Sequence, residues 1–195
     1  MGPAGYSSRR YALLNRWDPR HLTRVVAHLR PVAGERILEV GCGRGHLTKR
    51  LNDLGVEAVG IDVNPHAALH AVTRRVVTCR AEALPFAEGV FDGVVSVHAL
   101  EHIPQLGEAL DEIDRVLRPG GRAVFIYPAE PIKGIWAVPT AVILHRNPFK
   151  ATTVHCQWLW PSRMRRLVEP LGWKETHHEF NLLSSPQFVS VFAKP

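Results

Sequence analysis

Three histidines are the side chains best suited to chemistry in this sequence. His98 and His102 belong to the run His98-Ala-Leu-Glu101-His102, and His155 lies farther along, close to two tryptophans. An imidazole titrates near neutral pH, so each of the three is a candidate general base that takes a proton from an acceptor. The alternatives are a cap or packing role for His98 and His102, and a packing or solvent role for His155.

A glycine-rich run near residue 40 predicts a ligand-binding bend. The run Glu39-Val-Gly41-Cys-Gly43-Arg-Gly45 follows a short apolar segment and precedes leucines at helical spacing. Gly41 permits a sharp turn, Gly43 leaves room for a ligand, and Gly45 permits close packing of the next helix. Asp62 comes 21 residues after Gly41, where a carboxylate can accept both hydrogen bonds of a ribose diol. The bend and Asp62 together indicate a nucleoside-containing cofactor.

The same bend disfavours a pyrophosphate. Its GxGxG spacing differs from the GxGxxG spacing that sets a helix N-terminus against a pyrophosphate. Glu39 would repel a phosphate, whereas it suits the ammonium group of an amino acid. A nicotinamide oxidoreductase is therefore disfavoured. The simpler alternatives are an ordinary strand-end acid for Glu39 and a helix cap before Asn64 for Asp62.

The elements that must position these residues alternate along the chain. Apolar runs predict strands at 36–40, 56–61, 76–78, 91–97 and 123–127. Helical patterns lie between them, so crossover connections are needed and a mostly parallel, doubly wound α/β sheet follows, with helices on both faces. After a helix that starts at Pro161, two strands at 174–180 and 188–193 predict an antiparallel hairpin.

Composition predicts one domain and disfavours several classes of protein. A chain of 195 residues that is 46% hydrophobic can bury one core. Cys42, Cys79 and Cys156 form no CxxC pair, which favours a reducing, cytoplasmic setting. No apolar run reaches the roughly 18 residues that span a bilayer, so no transmembrane segment is expected. The net charge of +6 comes from scattered arginines without interleaved aromatics, so nucleic acid is not expected as a partner.

Five short motifs occur in one order along residues 36–127: Glu39-Val-Gly-Cys-Gly-Arg-Gly45, Val59-Gly-Ile-Asp62, Ala81-Glu-Ala-Leu-Pro-Phe86, Phe91-Asp92 and Arg115-Val-Leu-Arg-Pro-Gly-Gly121. In this order they resemble the motifs of class I S-adenosylmethionine-dependent methyltransferases of the ubiquinone/menaquinone-biosynthesis-like (type 11) group. The resemblance implies a Rossmann-like, seven-stranded sheet of order 3-2-1-4-5-7-6 with strand 7 antiparallel. It also implies S-adenosyl-L-methionine as the cofactor.

The resemblance further implies a set of cofactor-binding residues: Glu39, Gly41, Cys42, Gly43, Gly45, Asp62, Val63, Ala81, Glu82 and His98. Within this set the glycines flank the methionine part and Asp62 holds the ribose. The family has an acidic residue before the alanine at position 81, where it accepts the adenine amino group. Here that residue is Arg80, which has only donors, so Glu82, a backbone carbonyl or water must serve the amine.

The single predicted domain, 1–195, divides into four parts, and the lid role of the first part is what the resemblance implies. Residues 1–33, with Tyr6, Tyr11 and Trp17, form an N-terminal helical lid, and 34–127 form the cofactor-binding core. Residues 128–160 form an acceptor-side insert, and 161–195 form the C-terminal helix and hairpin. Within the insert, the apolar stretch 132–150 has a basic flank, which suits a lid, a peripheral contact with anionic lipid, a dimer contact or a buried helix.

We expect the acceptor to bind beside the loop after the fourth strand and beside Tyr127 at the end of the fifth, because the reacting crevice of a doubly wound fold lies at the carboxyl ends of the strands. His98-x-x-Glu101-His102 is similar to the Glu-x-x-Glu-His metal motif of ubiquinone O-methyltransferases, but its first ligand is replaced, so no metal is predicted.

We expect methyl transfer to a small, hydrophobic acceptor, with oxygen favoured. The alternatives are C- or N-methylation of a quinone-, polyketide- or lipid-like acceptor, and a catalytically inactive cofactor-binding subunit. A monomer or a homodimer is expected.

Overall fold

The computed structural model describes residues 9, 12, 17–182 and 185–195. The strands in these ranges are β1 Arg36–Val40, β2 Glu57–Asp62, β3 Val76–Thr78, β4 Phe91–Val97, β5 Leu117–Pro128, β6 Lys174–Leu182 and β7 Pro186–Ala193. They form one seven-stranded sheet of order β3-β2-β1-β4-β5-β7-β6. β1 to β5 run parallel, and β7 runs antiparallel to both of its neighbours. The predicted doubly wound sheet, its order and its antiparallel strand are confirmed.

The described α-helices are α1 Arg20–Leu29, α2 His46–Asp53, α3 Pro65–Leu69, α4 Leu106–Val116, α5 Val138–His145, α6 Ala151–Val154 and α7 Pro161–Val168. Side-chain caps begin two of them. Asp18 Oδ1 accepts a hydrogen bond from the backbone N–H of Arg20 at 3.0 Å, and Asn64 Oδ1 accepts one from His66 at 2.9 Å. None of the described helices has the length and apolar character needed to cross a membrane.

Hydrophobic side chains fill both faces of the sheet. Successive side chains of a strand point to opposite faces, so Leu38 packs in a cluster with Leu110 of α4, while Ile37 packs in a second cluster with Leu29 of α1 and Leu51 of α2. The central strands are therefore buried on both faces, as is usual for parallel sheets. Both clusters together hold the carboxyl ends of β1, β2 and β4 at one edge.

The fifth strand differs from its prediction in length and in the direction of one side chain. It starts at Leu117 rather than Ala123 because Leu117 pairs with Phe91 before a register shift. Tyr127 is fully buried in the core, and its hydroxyl lies 2.9 Å from Ser190 Oγ. The prediction that Tyr127 faces the acceptor was wrong, because this strand is covered on both faces and the ring points into the core.

The N-terminal and insert regions flank the same edge of the sheet. Of the predicted lid 1–33, Tyr6, Tyr11 and most of residues 1–16 lie outside the described residues, whereas α1 lies inside them. The insert has a small core of its own, formed by Ala137, Ala141, Ala151 and Val154. The four-part division of the chain stays a prediction.

Candidate functional site

A cleft of about 650 Å³ opens at the carboxyl ends of β1, β2 and β4. Its lining includes eight of the predicted site residues: Glu39, Gly41, Cys42, Gly43, Asp62, His98, His102 and His155. Ligands of doubly wound sheets bind at this edge, and the volume is typical of small-molecule sites. Eight residues from distant parts of the sequence thus meet in one cleft.

The glycine bend takes the backbone conformation that the sequence requires. Gly41, Gly43 and Gly45 have φ values of 77°, 53° and 75°, in the left-handed region that favours glycine. A Cβ on Gly41 would lie 2.1 Å from the Cβ of Ala99. The backbone N–H groups of Gly41 and Cys42 both donate to Ile61 O at 2.9 Å. The bend is therefore held against β2 and packs tightly against the loop after β4.

Asp62 connects the bend to the end of β2. Its Oδ2 accepts a hydrogen bond from Gly43 N at 2.7 Å, and its Oδ1 accepts one from Asn64 N at 2.8 Å. Burial raises the pKa of Asp62, and the two backbone donors oppose the rise. The cap of α3 is Asn64, not Asp62, so the simple cap role does not account for Asp62. Each carboxylate oxygen retains a second lone pair for a ligand.

Glu39 is a buried carboxylate on the cleft wall. Thr48 Oγ1 donates a hydrogen bond to its Oε2. Burial raises the pKa of Glu39 to about 7, the Thr48 bonds oppose this, and the Asp62 charge adds to it. The site therefore disfavours the negative charge of Glu39 unless a cation binds beside it.

His98 lies beside His21 of α1 and Gln187 of β7, which are far from it in the sequence. Its φ is 51°, an uncommon value outside glycine. Its Nε2 lies 2.7 Å from Gln187 Oε1, and His21 Nε2 lies 3.3 Å from the same oxygen. Burial lowers the pKa of His98, but hydrogen bonding and charge from Glu101 raise it overall. Sequence reasoning missed Gln187 and His21, because nothing local links them to His98.

Glu101 is the buried acid at the centre of the histidines. Its Oε1 lies 3.5 Å from His98 Nδ1 and 3.9 Å from His102 Nε2, and its Oε2 is buried without a hydrogen bond among the described residues. Burial would raise its pKa, but the hydrogen bond from His98 and the charges of His102 and His155 lower it to about 2. The carboxylate is therefore ionised at neutral pH.

His102 and His155 are in contact and differ in their partners. His102 Nδ1 lies 2.8 Å from Val154 O, and burial lowers its pKa to about 4. His155 Nδ1 lies 2.8 Å from Glu130 Oε1. Glu130 is itself buried, and its Oε2 accepts a hydrogen bond from the backbone N–H of Gly134 at 2.9 Å. Glu130 is a second residue that sequence reasoning missed, because no motif includes it.

A possible metal-ligand set differs from the one that the sequence motif indicates. Ligand atoms of Glu101, His102 and His155 lie within 4.8 Å of one another. His98 is not in this set, although it is the first residue of His98-x-x-Glu101-His102. Imidazole and carboxylate ligands suit Zn²⁺ and related ions. The absence of a metal stays a prediction.

Four predicted cofactor residues are not among those that line the cleft: Gly45, Val63, Ala81 and Glu82. Gly45 caps α2, and a Cβ there would lie 2.7 Å from Val76 Cγ2, so its role is close packing. Ala81 is buried in the core and Val63 is exposed. Glu82 Oε1 accepts a hydrogen bond from Arg80 Nη2 at 2.6 Å. The predicted contacts of these four residues with the cofactor stay predictions.

The chain is similar to methyltransferases in sequence and in fold. Residues 38–125 match the family model described as a methyltransferase domain. The ubiquinone biosynthesis O-methyltransferase of Acinetobacter baylyi is 26% identical over an alignment of 172 residues, which covers 83% of this chain and 72% of the relative.

Two solved structures share the fold at lower identity. The [4+2]-cyclase SpnF has a TM-score of 0.71 and 17% identity, over 90% of this chain and 80% of that one. The 1,6-didemethyltoxoflavin-N1-methyltransferase of Burkholderia thailandensis, with S-adenosylhomocysteine bound, has a TM-score of 0.66 and 19% identity, over 90% and 77% of the two chains.

The family match covers the glycine bend, Asp62 and the loop after β4, but it does not reach His155. The cofactor is S-adenosyl-L-methionine. The chain is an S-adenosylmethionine-dependent methyltransferase with the class I fold, and its sequence is similar to those of ubiquinone biosynthesis O-methyltransferases.

Proposed function

We propose that this methyltransferase acts on a hydroxyl group of a small hydrophobic acceptor, with His155 as the general base. The contact between His155 and Glu130 carries the proposal. A carboxylate only accepts hydrogen bonds, so the 2.8 Å contact with Glu130 Oε1 sets the proton of the neutral imidazole on Nδ1. Nε2 then keeps its lone pair and can take a proton from an acceptor hydroxyl.

The other two predicted bases have less suitable surroundings. Both nitrogens of His98 face partners, Gln187 and Glu101, so we assign it a positioning role. The lowered pKa of His102, about 4, makes its neutral form a weak base. His155 therefore remains the strongest candidate of the three.

The described residues fit the cofactor, which supplies an electrophilic methyl group at its sulfonium. Glu39 would hold the ammonium group, because burial disfavours its charge until a cation binds. Asp62 would hold the ribose through its remaining lone pairs. Gly41 and Gly43 would keep the backbone bend open for the methionine part.

A hydrophobic acceptor is supported by apolar side chains that line the cleft. Trp17, Val97, Pro128 and Trp136 are among them, in the same lining as the three histidines. The sequence relatives that are named ubiquinone biosynthesis O-methyltransferases support oxygen as the methylated atom. The shared fold adds nothing to this choice, since a cyclase has it too.

The test measures S-adenosylhomocysteine formation with quinol, polyketide and lipid phenols, against their methyl ethers. His155→Ala should lower kcat by about 10²- to 10⁴-fold with little change in KM, and Glu130→Gln should lower it less. His145→Ala is the matched control, because His145 belongs to the insert but does not line the cleft. Full kcat in His155→Ala, or a methyl group on carbon or nitrogen in the product, would contradict the proposal.

The result also separates the enzyme from an inactive subunit. A protein that binds S-adenosylhomocysteine in titration calorimetry but turns over no acceptor in the panel would favour the inactive cofactor-binding alternative.

We also propose a peripheral membrane contact through the insert, which would bring a lipid-like acceptor to the cleft. Large apolar side chains of the insert are exposed: Ile132, Ile135, Trp136, Val138, Val142, Ile143 and Phe149. No Asp or Glu occurs between Glu130 and Glu169, whereas Lys133, Arg146 and Lys150 do. Exposed apolar groups beside cations suit an anionic lipid surface.

Co-sedimentation with vesicles tests this contact. The protein should bind phosphatidylglycerol-containing vesicles more strongly than pure phosphatidylcholine vesicles, and Ile143→Asp should weaken the binding. Leu69→Asp is the control, because Leu69 is also a large exposed apolar side chain but lies on α3, outside the insert. Equal loss in both variants, or no preference for anionic vesicles, would rule out the insert as the contact.

Two further proposals concern the cellular setting and the oligomeric state. All three cysteines are free thiols, which supports the proposal of a reducing, cytoplasmic setting. We propose a monomer or a homodimer, and light scattering of the purified protein distinguishes the two.

A further inference from the structure

A second group of histidines lies apart from the cleft, between α1 and the edge strand β6. His28 is near the end of α1, and His177 and Glu179 are two residues apart on β6, so they share one face of that strand. His28 Nε2 lies 3.4 Å from Glu179 Oε1, and His177 Nε2 lies 3.6 Å from Glu179 Oε2. We call His28, His177 and Glu179 the α1–β6 cluster.

The spacing in the α1–β6 cluster matches that of metal ligands. One ligand atom from each residue lies within 4.8 Å of the other two. Ligand atoms at about 2.1 Å from a tetrahedral zinc ion lie about 3.4 Å from one another, close to the 3.6 Å between His177 Nε2 and Glu179 Oε2. The imidazole rings of His28 and His177 stack, with their centroids 4.8 Å apart and 25° between their planes.

His28 Nε2 is buried and makes no hydrogen bond of good geometry among the described residues, because its contact with Glu179 Oε1 is long, at 3.4 Å. A buried polar atom without a hydrogen bond is costly in a folded protein. A bound metal ion would use that nitrogen and remove the cost.

The positive charge of Arg24 opposes a cation here. Its Nη1 lies 3.1 Å from Glu179 Oε1. Because the carboxylate has a second oxygen on the side of His177, Arg24 can keep Oε1 as an outer partner while Oε2 binds the ion. Asn181 Nδ2 donates to the same Oε1 at 3.3 Å, which also holds the carboxylate in place.

We propose that the α1–β6 cluster binds a divalent transition metal of the zinc class, with water as the fourth ligand. Two imidazoles and one carboxylate suit Zn²⁺ and do not suit Mg²⁺ or Ca²⁺, which prefer oxygen ligands. The ion joins a helix that precedes the first strand to a strand near the end of the chain, and so fastens α1 to the sheet.

The site also connects to the cleft through α1. His21 lies seven residues before His28 on the same helix, about 10 Å away along its axis. His21 shares Gln187 Oε1 with His98. Fixing α1 against β6 therefore fixes one of the groups that hold His98.

The test uses tag-free, chelator-treated protein titrated with CoCl₂ and followed by visible absorption, which is intense for tetrahedral Co²⁺. A saturable band should appear with the unaltered protein. In His177→Ala and Glu179→Gln the affinity should fall by at least about tenfold. His178→Ala is the matched control, because His178 is the next residue of β6, points to the opposite face and is also exposed.

Thermal unfolding with ZnCl₂ gives a second readout. At a free concentration about 100 times Kd, the unaltered protein and His178→Ala should gain about 5–10 °C in Tm, whereas His177→Ala should gain little. The absence of saturable binding would overturn the proposal. Binding that survives in His177→Ala but is lost in His155→Ala would also overturn it, because the ion would then lie in the cleft.

Discussion

The buried Glu39 carboxylate predicts that cofactor binding strengthens as the pH rises through neutrality. Its pKa is about 7 in the folded protein without ligand, against an ordinary value of 4.5. With that pKa, about one tenth of Glu39 is ionised at pH 6 and about nine tenths at pH 8. If only the ionised form holds the ammonium group, the Kd for S-adenosylhomocysteine should be about tenfold lower at pH 8 than at pH 6.

The same shift affects the stability of the protein without cofactor. The folded state holds the Glu39 proton more tightly than the unfolded state does, so the free energy of unfolding falls as the pH rises from about 4.5 through about 7. The full shift corresponds to about 3 kcal/mol at pH 8. Glu39→Gln should remove this pH dependence, because its amide oxygen can still accept from Thr48 and carries no charge.

Titration calorimetry with S-adenosylhomocysteine at pH 6, 7 and 8 measures the effect. The Kd of Glu39→Gln should be weaker than that of the unaltered protein at pH 8 and nearly independent of pH. 5′-Methylthioadenosine, which lacks the amino-acid part, is the matched ligand, and its Kd should change little with pH. Equal pH dependence for both ligands, or for both proteins, would refute the role of Glu39.

Two further predictions concern single side chains. Gly41→Ala should destabilise the fold by at least about 1–3 kcal/mol, because its φ of 77° disfavours alanine and its Cβ would lie 2.1 Å from that of Ala99; chemical denaturation measures the loss, and unchanged stability would contradict it. Tyr127→Phe should leave kcat and KM unchanged but cost about 1 kcal/mol through the lost contact with Ser190, so a fall in kcat without a fall in stability would restore the acceptor-side role.

The sequence predicted the parts of the protein that depend on local pattern. The strand at residues 36–40, the glycine bend and Asp62 are contiguous or nearly so, and their residue types restrict the backbone directly. The order of the sheet followed from a resemblance that rests on five such local motifs. The strand, the order of the sheet and the left-handed conformation of the glycines were confirmed, whereas the role of Asp62 toward the cofactor stays a prediction.

The parts that could not be predicted depend on contacts between distant segments. Gln187 is 89 residues from His98, and Glu130 is 25 residues from His155, so neither pairing leaves a periodic signal. The prediction that Tyr127 faces the acceptor was wrong for a related reason. A strand that is covered on both faces has no alternation of apolar and polar residues to show which way one ring points.

The position of Gln187 at the start of β7 makes the cleft depend on the final strand of the sheet. Because β7 is antiparallel, it begins at the edge where the parallel strands end, and it pairs Gln187 with Pro128. A slip of one residue in that pairing would turn the amide to the opposite face and deprive His98 of its acceptor. During folding, the histidine cluster can therefore be completed only after the carboxyl-terminal hairpin has found its correct register.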